Sequence, residues 1–297
     1  MVHSTSLQRR RLITACACGV PLAWLGISTR ASAQECGQIL GVGSRSVFTN
    51  AVSADQVEAA AAQQYLQLKQ EAGSKRALAP NDHPQLARLR AIGERIVPIA
   101  MECNPRARQW KWEFNLIGSN QINAFCMPGG KIAFYTGILE NLRLNDDEVA
   151  MVMGHEIAHA LQEHAREQMG KSMATRGVLE IGAALLGLGN GARMLGDLGA
   201  QLLSLKFGRD DETQADRIGL VLGARAGYAP KAGITLWEKM SSANKGAPPQ
   251  FLSTHPSSPN RIQDIRTALA RVEPLYERAP KPARRFEPAQ PRASKQG

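Results

Sequence analysis

Apolar residues at Leu86, Leu89, Ile92 and Ile96 fall on one stripe of a helix that the spacing predicts from about Gln85 to Met101. Upstream, Asp55 to Ala72 is rich in Ala and Gln at helical spacing, with Asp55 as a cap and Gly73 as a stop. Between the two helices Pro80-Asn81-Asp82-His83-Pro84 reads as a loop in which His83 is solvated. From Trp110 to Ile117 apolar and polar residues alternate, the pattern of a half-buried strand. Asn123 to Met127 and Lys131 to Tyr135 flank Pro128-Gly129-Gly130, which predicts a hairpin. A further helix opens at Asn145. Asn145 and Glu148 have capping-box spacing, Asp146 and Asp147 suit the positive end of the helix dipole, and Val149, Val152 and Met153 supply an apolar face. Residues 177–205 are apolar and Gly-rich. The run from Gly177 to Gly189 contains Glu180 and is too short to span a bilayer, so a helical excursion is expected that packs on the domain or dips against a membrane or hydrophobic client. Gly227 to Pro230 forms a turn, followed by a helix carrying Ile234, Leu236, Trp237 and Met240.

The two ends differ from this middle. Arg9-Arg10-Arg11, the apolar run from Leu12 to Ile27 and Ala31-Ser32-Ala33 make residues 1–33 a cleavable export signal. Export places the chain in the periplasm, with membrane association as a further expectation. The formal charge of the 297 residues is +10; removing the four arginines of the signal leaves 32 basic against 26 acidic residues, a net of +6. Much of that excess lies in 273–297, a Pro-, Arg- and Lys-rich stretch expected to be a disordered tail able to touch an anionic membrane surface. Cys36, Cys103 and Cys126 remain after the signal, and in an oxidising compartment Cys103 and Cys126 are the expected disulfide pair, since each flanks the same strand-forming stretch. Residues 34–84 form a helical lead-in and 85–272 the main domain. No nucleic-acid motif, aromatic stacking platform or phosphate-binding glycine loop is evident, so no nucleic-acid partner is expected.

Candidate chemistry concentrates in the helix after Asn145. His155-Glu156-Ile157-Ala158-His159 is an H-E-x-x-H sequence, in which two imidazoles four apart share one helix face and can bind one Zn²⁺. Glu156, one step round, is placed to act on a water as general base. A third ligand is required. A glycine at 162 and a histidine at 165 would mark one class of zinc peptidase, but those positions hold Gln162 and Ala165. His164 is one residue short and reads as a helix-surface residue. Glu212 and Asp216 are also four apart; Glu212 completes a His₂Glu set, and Asp216 can accept from the second nitrogen of a ligand histidine. His255 sits on a Pro-bounded loop, where it can donate to an oxyanion, and Arg261 opens the last helix, where it can order that loop or bind substrate backbone.

Four blocks in order, Asn123-Ala124-Phe125 with Pro128-Gly129-Gly130, His155 to His159, Arg209 to Asp216, and Thr254-His255-Pro256 with Arg261, resemble the HtpX/CAAX-prenyl-protease-like zinc peptidases, and within them the soluble periplasmic BepA/LoiP-like branch. The resemblance covers roughly 85–270. It implies a mainly α (α+β) gluzincin domain with a small β-sheet or hairpin beside the active-site helix. It also implies one Zn²⁺ held by His155, His159 and Glu212, Glu156 as base, Asp216 supporting a ligand, and His255 at the oxyanion. The work it implies is endopeptidase cleavage of misfolded or misassembled envelope proteins. A binding protein that uses the fold without turnover is the competing expectation, and the intact Glu156 separates the two. The chain departs from the family in showing no defensible spanning helix and no helical repeat after the peptidase.

Overall fold

Helix boundaries follow caps that periodicity alone does not reveal. The computed structural model describes residues 45–176, 198–199, 201–243 and 249–290, without the side chains of 173–176. The predicted export signal, Cys36 and most of 177–205 lie outside the described residues. Helix α1 is Ala54–Ser74; Ser53 rather than Asp55 caps it, its hydroxyl accepting from the Gln56 amide. Helix α2 is Pro84–Cys103. His83 is its cap rather than a purely solvated residue, with Nδ1 accepting from the Gln85 amide at 3.2 Å. The predicted stripe Leu86, Leu89, Ile92 and Ile96 is fully buried.

Three strands follow, β1 Glu113–Ile117, β2 Ala124–Met127 and β3 Lys131–Tyr135, in the sheet order β1-β3-β2. The β2–β3 hairpin is antiparallel as expected, and its turn uses Gly129 and Gly130 at φ 83° and 74°, a region that favours glycine. Strand β1 lies parallel to β3, with Leu116 beside Phe134. It is shorter than the alternation predicts. Trp110 and Trp112 are drawn out of the strand because their indoles donate to Glu58 and to the Ala107 carbonyl, both at 3.0 Å. Strand β2 is left at one edge of the sheet.

The remaining helices are α3 Thr136–Asn141, α4 Asp146–Leu161, α5 His164–Arg176, α6 Arg209–Arg225, α7 Ala232–Ala243, α8 Gln250–Thr254 and α9 Arg261–Arg278. The capping box of α4 is complete: the Asn145 side chain accepts from the Glu148 amide, and the Glu148 carboxylate accepts from the Asn145 amide, both at 2.9 Å. Helix α4 is buried on nearly every face, between α2, α6, α7 and β2. Its tightest partner is α6, where Gly154 and Gly219 face each other and bring two backbones together. No helix among the described residues is long and apolar enough to cross a membrane.

Two expectations are corrected. Cys126 is a free thiol inside β2, facing the core, whereas Cys103 at the end of α2 is disulfide-bonded, so the Cys103–Cys126 pair does not form. The partner of Cys103 lies outside the described residues. Proximity along the chain misled here, because the alternation of β2 turns Cys126 inward. The second correction concerns the disordered tail. Helix α9 runs through Pro274 to Arg278, and residues 279–290 fold back over the start of α4. The Phe286 amide donates to Asp146 Oδ2 at 2.8 Å, Arg285 pairs with Asp147 at 2.8 Å, and Ala289 is buried. The acidic first turn of α4 supplies the acceptors, a partner that tail composition cannot disclose. Asp146 is itself held by Arg88, which is fully buried. Deleting 279–297 leaves Asp146 Oδ2 without that amide and Asp147 without Arg285. A destabilisation of about 1–3 kcal/mol is expected, read as a lower Tm than the chain ending at 297; equal melting temperatures would contradict the docking.

Candidate metal centre

Helix α4 delivers His155 and His159 from its buried face and α6 delivers Glu212 from its first turn, each no more than 4% exposed. The contact of α4 with α6 therefore brings together two motifs more than fifty residues apart in sequence. His155 Nε2 and His159 Nε2 are 3.1 Å apart, and the Glu212 carboxylate lies 3.5 Å from the first and 3.4 Å from the second. Donor atoms about 2.0–2.1 Å from a tetrahedral zinc are separated by about 3.3 Å, so these spacings fit the ion.

The electrostatics fit it as well. Glu156 and Glu212 are buried carboxylates, Asp216 beside them is mostly covered, and Arg261 is the buried guanidinium among them. That arrangement suits a divalent cation. Glu156 Oε1 finds no hydrogen-bond partner among the described residues. Burial raises the Glu156 carboxyl above its usual range, against the opposing pull of His255 and His155. Burial also pushes Glu212 upward, but hydrogen bonds with His159 and His255 override it and hold the carboxyl well below the usual range. Burial drives His159 well below its ordinary value, which favours the neutral, ligating imidazole.

Asp216 lies one helical turn beyond Glu212. Its Oδ1 is 3.0 Å from His155 Nδ1, which leaves Nε2 of that ring for a metal. Arg261, at the start of α9, contacts Asp216 at 2.6 Å and Glu212 at 2.9 Å and stacks 3.4 Å over the Trp237 ring. It is 4% exposed, and its Nη1 also donates to the Pro256 carbonyl at 3.4 Å, which links the His255 loop to the two acidic residues.

His255 stands closer to the donors than its oxyanion reading requires. Its Nδ1 is 3.0 Å from Glu212 Oε1 and 3.3 Å from His155 Nε2, and the four ligand atoms of His155, His159, Glu212 and His255 all lie within 4.8 Å of one another. Burial lowers His255, but Glu156 and Glu212 override this and raise it. Phe251 stacks on the ring at 4.5 Å and holds it there.

Beside the donors runs a cleft of about 260 Å³ lined by β2, Tyr135, Glu156, His159, Leu203, Phe207 and His255. Asn123 lies at its rim, where its side chain accepts from the Ala124 amide at 3.0 Å. Phe207 packs on His159 at 4.0 Å. Two residues of the site were not expected from sequence: Phe207, and His164, which is 1% exposed and touches His159.

Residues 84–269 match the model of peptidase family M48. The chain belongs to that family. This agrees with the resemblance carried by the four motif blocks. The chain is 34% identical over 227 residues to the mitochondrial metalloendopeptidase OMA1 of Schizosaccharomyces pombe, covering 75% of this chain and 64% of that protein. It is 31% identical over 213 residues to the OMA1 of Saccharomyces cerevisiae, covering 67% and 60%. It is 31% identical over 174 residues to the beta-barrel assembly-enhancing protease of Escherichia coli K12, covering 55% and 36%. The chain thus spans less than two thirds of the length of these curated relatives. The fold is mainly helical with a small three-stranded sheet beside α4, as the resemblance implied.

Proposed function

We propose that the chain is an exported zinc endopeptidase that cleaves unfolded or misassembled proteins of the cell envelope. The observation that carries this is the convergence of His155, His159 and Glu212 beside Glu156, whose Oε1, without a hydrogen-bond partner among the described residues, lies at the wall of a cleft. Zinc, when bound, polarises a carbonyl oxygen and acidifies water at neutral pH. Glu156 accepts the proton of the attacking water and returns it to the leaving amine. Asp216 and Arg261 hold His155 and Glu212 in place, so that the donors need not reorganise during reaction.

The cleft supports the substrate class. Strand β2 is an edge strand, and an extended polypeptide can pair with it while Phe125, Tyr135, Leu203 and Phe207 take up apolar side chains. Folded proteins rarely offer such a segment, and unfolded ones do. The export signal and the name of the E. coli relative support an envelope setting, whereas the name of OMA1 refers to mitochondria. Membrane contact through the basic residues near the C-terminus belongs to the same proposal.

In the conformation described, His255 takes the place of a fourth donor, so the segment from His255 to Asn260 withdraws before substrate enters. In the open state the imidazole is free to serve the oxyanion. Casein cleavage by residues 34–297, abolished by a zinc chelator and restored by zinc, tests the proposal; cleavage that survives complete metal removal would sink it. His255→Ala tests the closure. It is expected to retain zinc and to bind a small hydroxamate about tenfold more tightly, since the competent state is no longer a minor one. Equal hydroxamate affinity in both proteins would overturn the fourth-donor reading.

A further inference from the structure

His164 is one of the most deeply buried polar residues of the chain and has no part in the donor set. Helix α4 stops at Leu161, and Glu163 adopts φ 60°, a left-handed conformation uncommon for a residue with a side chain. Arg45 and Arg166 hold the Glu163 carboxylate. The reversal swings the first residue of α5 back over the end of α4, and His164 Nδ1 comes to 2.9 Å from His159 Nδ1. Their rings meet nearly edge-on, with centroids 4.9 Å apart.

Two ring nitrogens at this distance share one proton, so one donates and the other accepts. If His159 Nδ1 carries it, His159 Nε2 has a free lone pair directed at Glu212 and His155. If His164 Nδ1 carries it, His159 Nε2 bears the hydrogen and cannot bind a metal. The placement of His159 decides between them. Its Nε2 is the nitrogen that faces the other donors, 3.1 Å from His155 Nε2 and 3.4 Å from the Glu212 carboxylate, so it is the one that would hold the metal. His159 Nδ1 then keeps the hydrogen, and His164 Nδ1 is the acceptor.

We infer that His164 is a positioning residue: it accepts a hydrogen bond from His159 Nδ1–H and thereby sets the tautomer in which His159 Nε2 ligates zinc. This rests on the proposed zinc site and adds a residue to it. It is the counterpart, through a neutral acceptor, of what Asp216 does for His155.

The test compares His164→Asn, which keeps an acceptor near the Nδ1 position, with His164→Leu, which keeps bulk and removes the acceptor. Zinc affinity is read by competition with a chromogenic chelator on purified chains 34–297, and the Tm of each zinc-free protein is recorded beside it. Loss of the acceptor is expected to weaken zinc binding about 10- to 100-fold in the Leu variant, with Asn recovering most of it. Equal weakening in both variants, or none in Leu, would overturn the inference while leaving the zinc site standing. A wild-type chain that binds no zinc would remove both. A ring ¹H–¹⁵N correlation on zinc-loaded wild type needs no variant at all: His164 is expected as the Nε2–H tautomer and His159 as Nδ1–H. The opposite tautomer at His164 would refute the inference even if the Leu variant failed to fold.

Discussion

Glu156→Gln is expected to reduce casein cleavage by about 10²–10⁴-fold, the usual contribution of a positioned general base, while zinc content stays at the wild-type level. The amide has the shape of the carboxylate, so the packing of this fully buried side chain is preserved. What disappears is the ability to take a proton. In the native site Oε1 has no hydrogen-bond partner among the described residues, and the nearest histidine nitrogen, His255 Nε2, is 3.6 Å away. A buried carboxylate oxygen left without a partner is costly, and its use to a peptidase lies in meeting a water when substrate is present. Zinc is held by other residues in this reading, so activity and metal content separate. A variant that cleaves casein at the wild-type rate would show that Glu156 is not the base, whereas one that keeps full biological activity without cleaving would favour the binding-protein alternative. One that loses its zinc would show Glu156 to be a ligand.

The chemistry of this site was more legible in sequence than its geometry. The capping box at Asn145 and the i, i+4 spacings at 155/159 and 212/216 depend only on helix periodicity, and each is realised in α4 and α6. His164 was not legible. On a continued helix a residue five after His159 lies well round from it, and nothing local announces that the helix ends at Leu161 and that Glu163 takes a positive φ held by two arginines. Arg261 was noticed, but its burial against Trp237 and both acidic residues arises from α9 packing on α6. The pairing of β1 with β3 and the docking of 279–290 are likewise long-range contacts, whose partners no local pattern names. The signal that could have found His164 is compositional: three of the six histidines fall within ten residues, more than a surface helix needs.

Gly219→Val is expected to unfold the arrangement that the motifs require. A Cβ at Gly219 would stand 2.7 Å from the His155 backbone nitrogen, and one at Gly154 would stand 2.7 Å from the Gly219 carbonyl oxygen. Both neighbours are helix backbone and cannot swing aside as a side chain would. Glycine inside a helix costs about 0.5–1 kcal/mol relative to alanine, and here two helices accept that cost at the same crossing. The return is a close approach of α4 to α6, with Glu212 two turns upstream of Gly219 meeting His155 and His159. Forcing the helices apart is expected to destabilise the chain by about 3 kcal/mol or more and to lower zinc affinity together with Tm. Gly73→Ala, at a helical position with nothing within 4 Å of the new carbon, supplies the contrast and should be neutral or stabilising. If both substitutions raised Tm, helix propensity alone would govern these glycines and the close crossing would not be what places Glu212. If Gly219→Val melted lower yet bound zinc as tightly as wild type, the crossing would matter for stability but not for the metal. The expected pairing of the two losses is what ties the fold to the site.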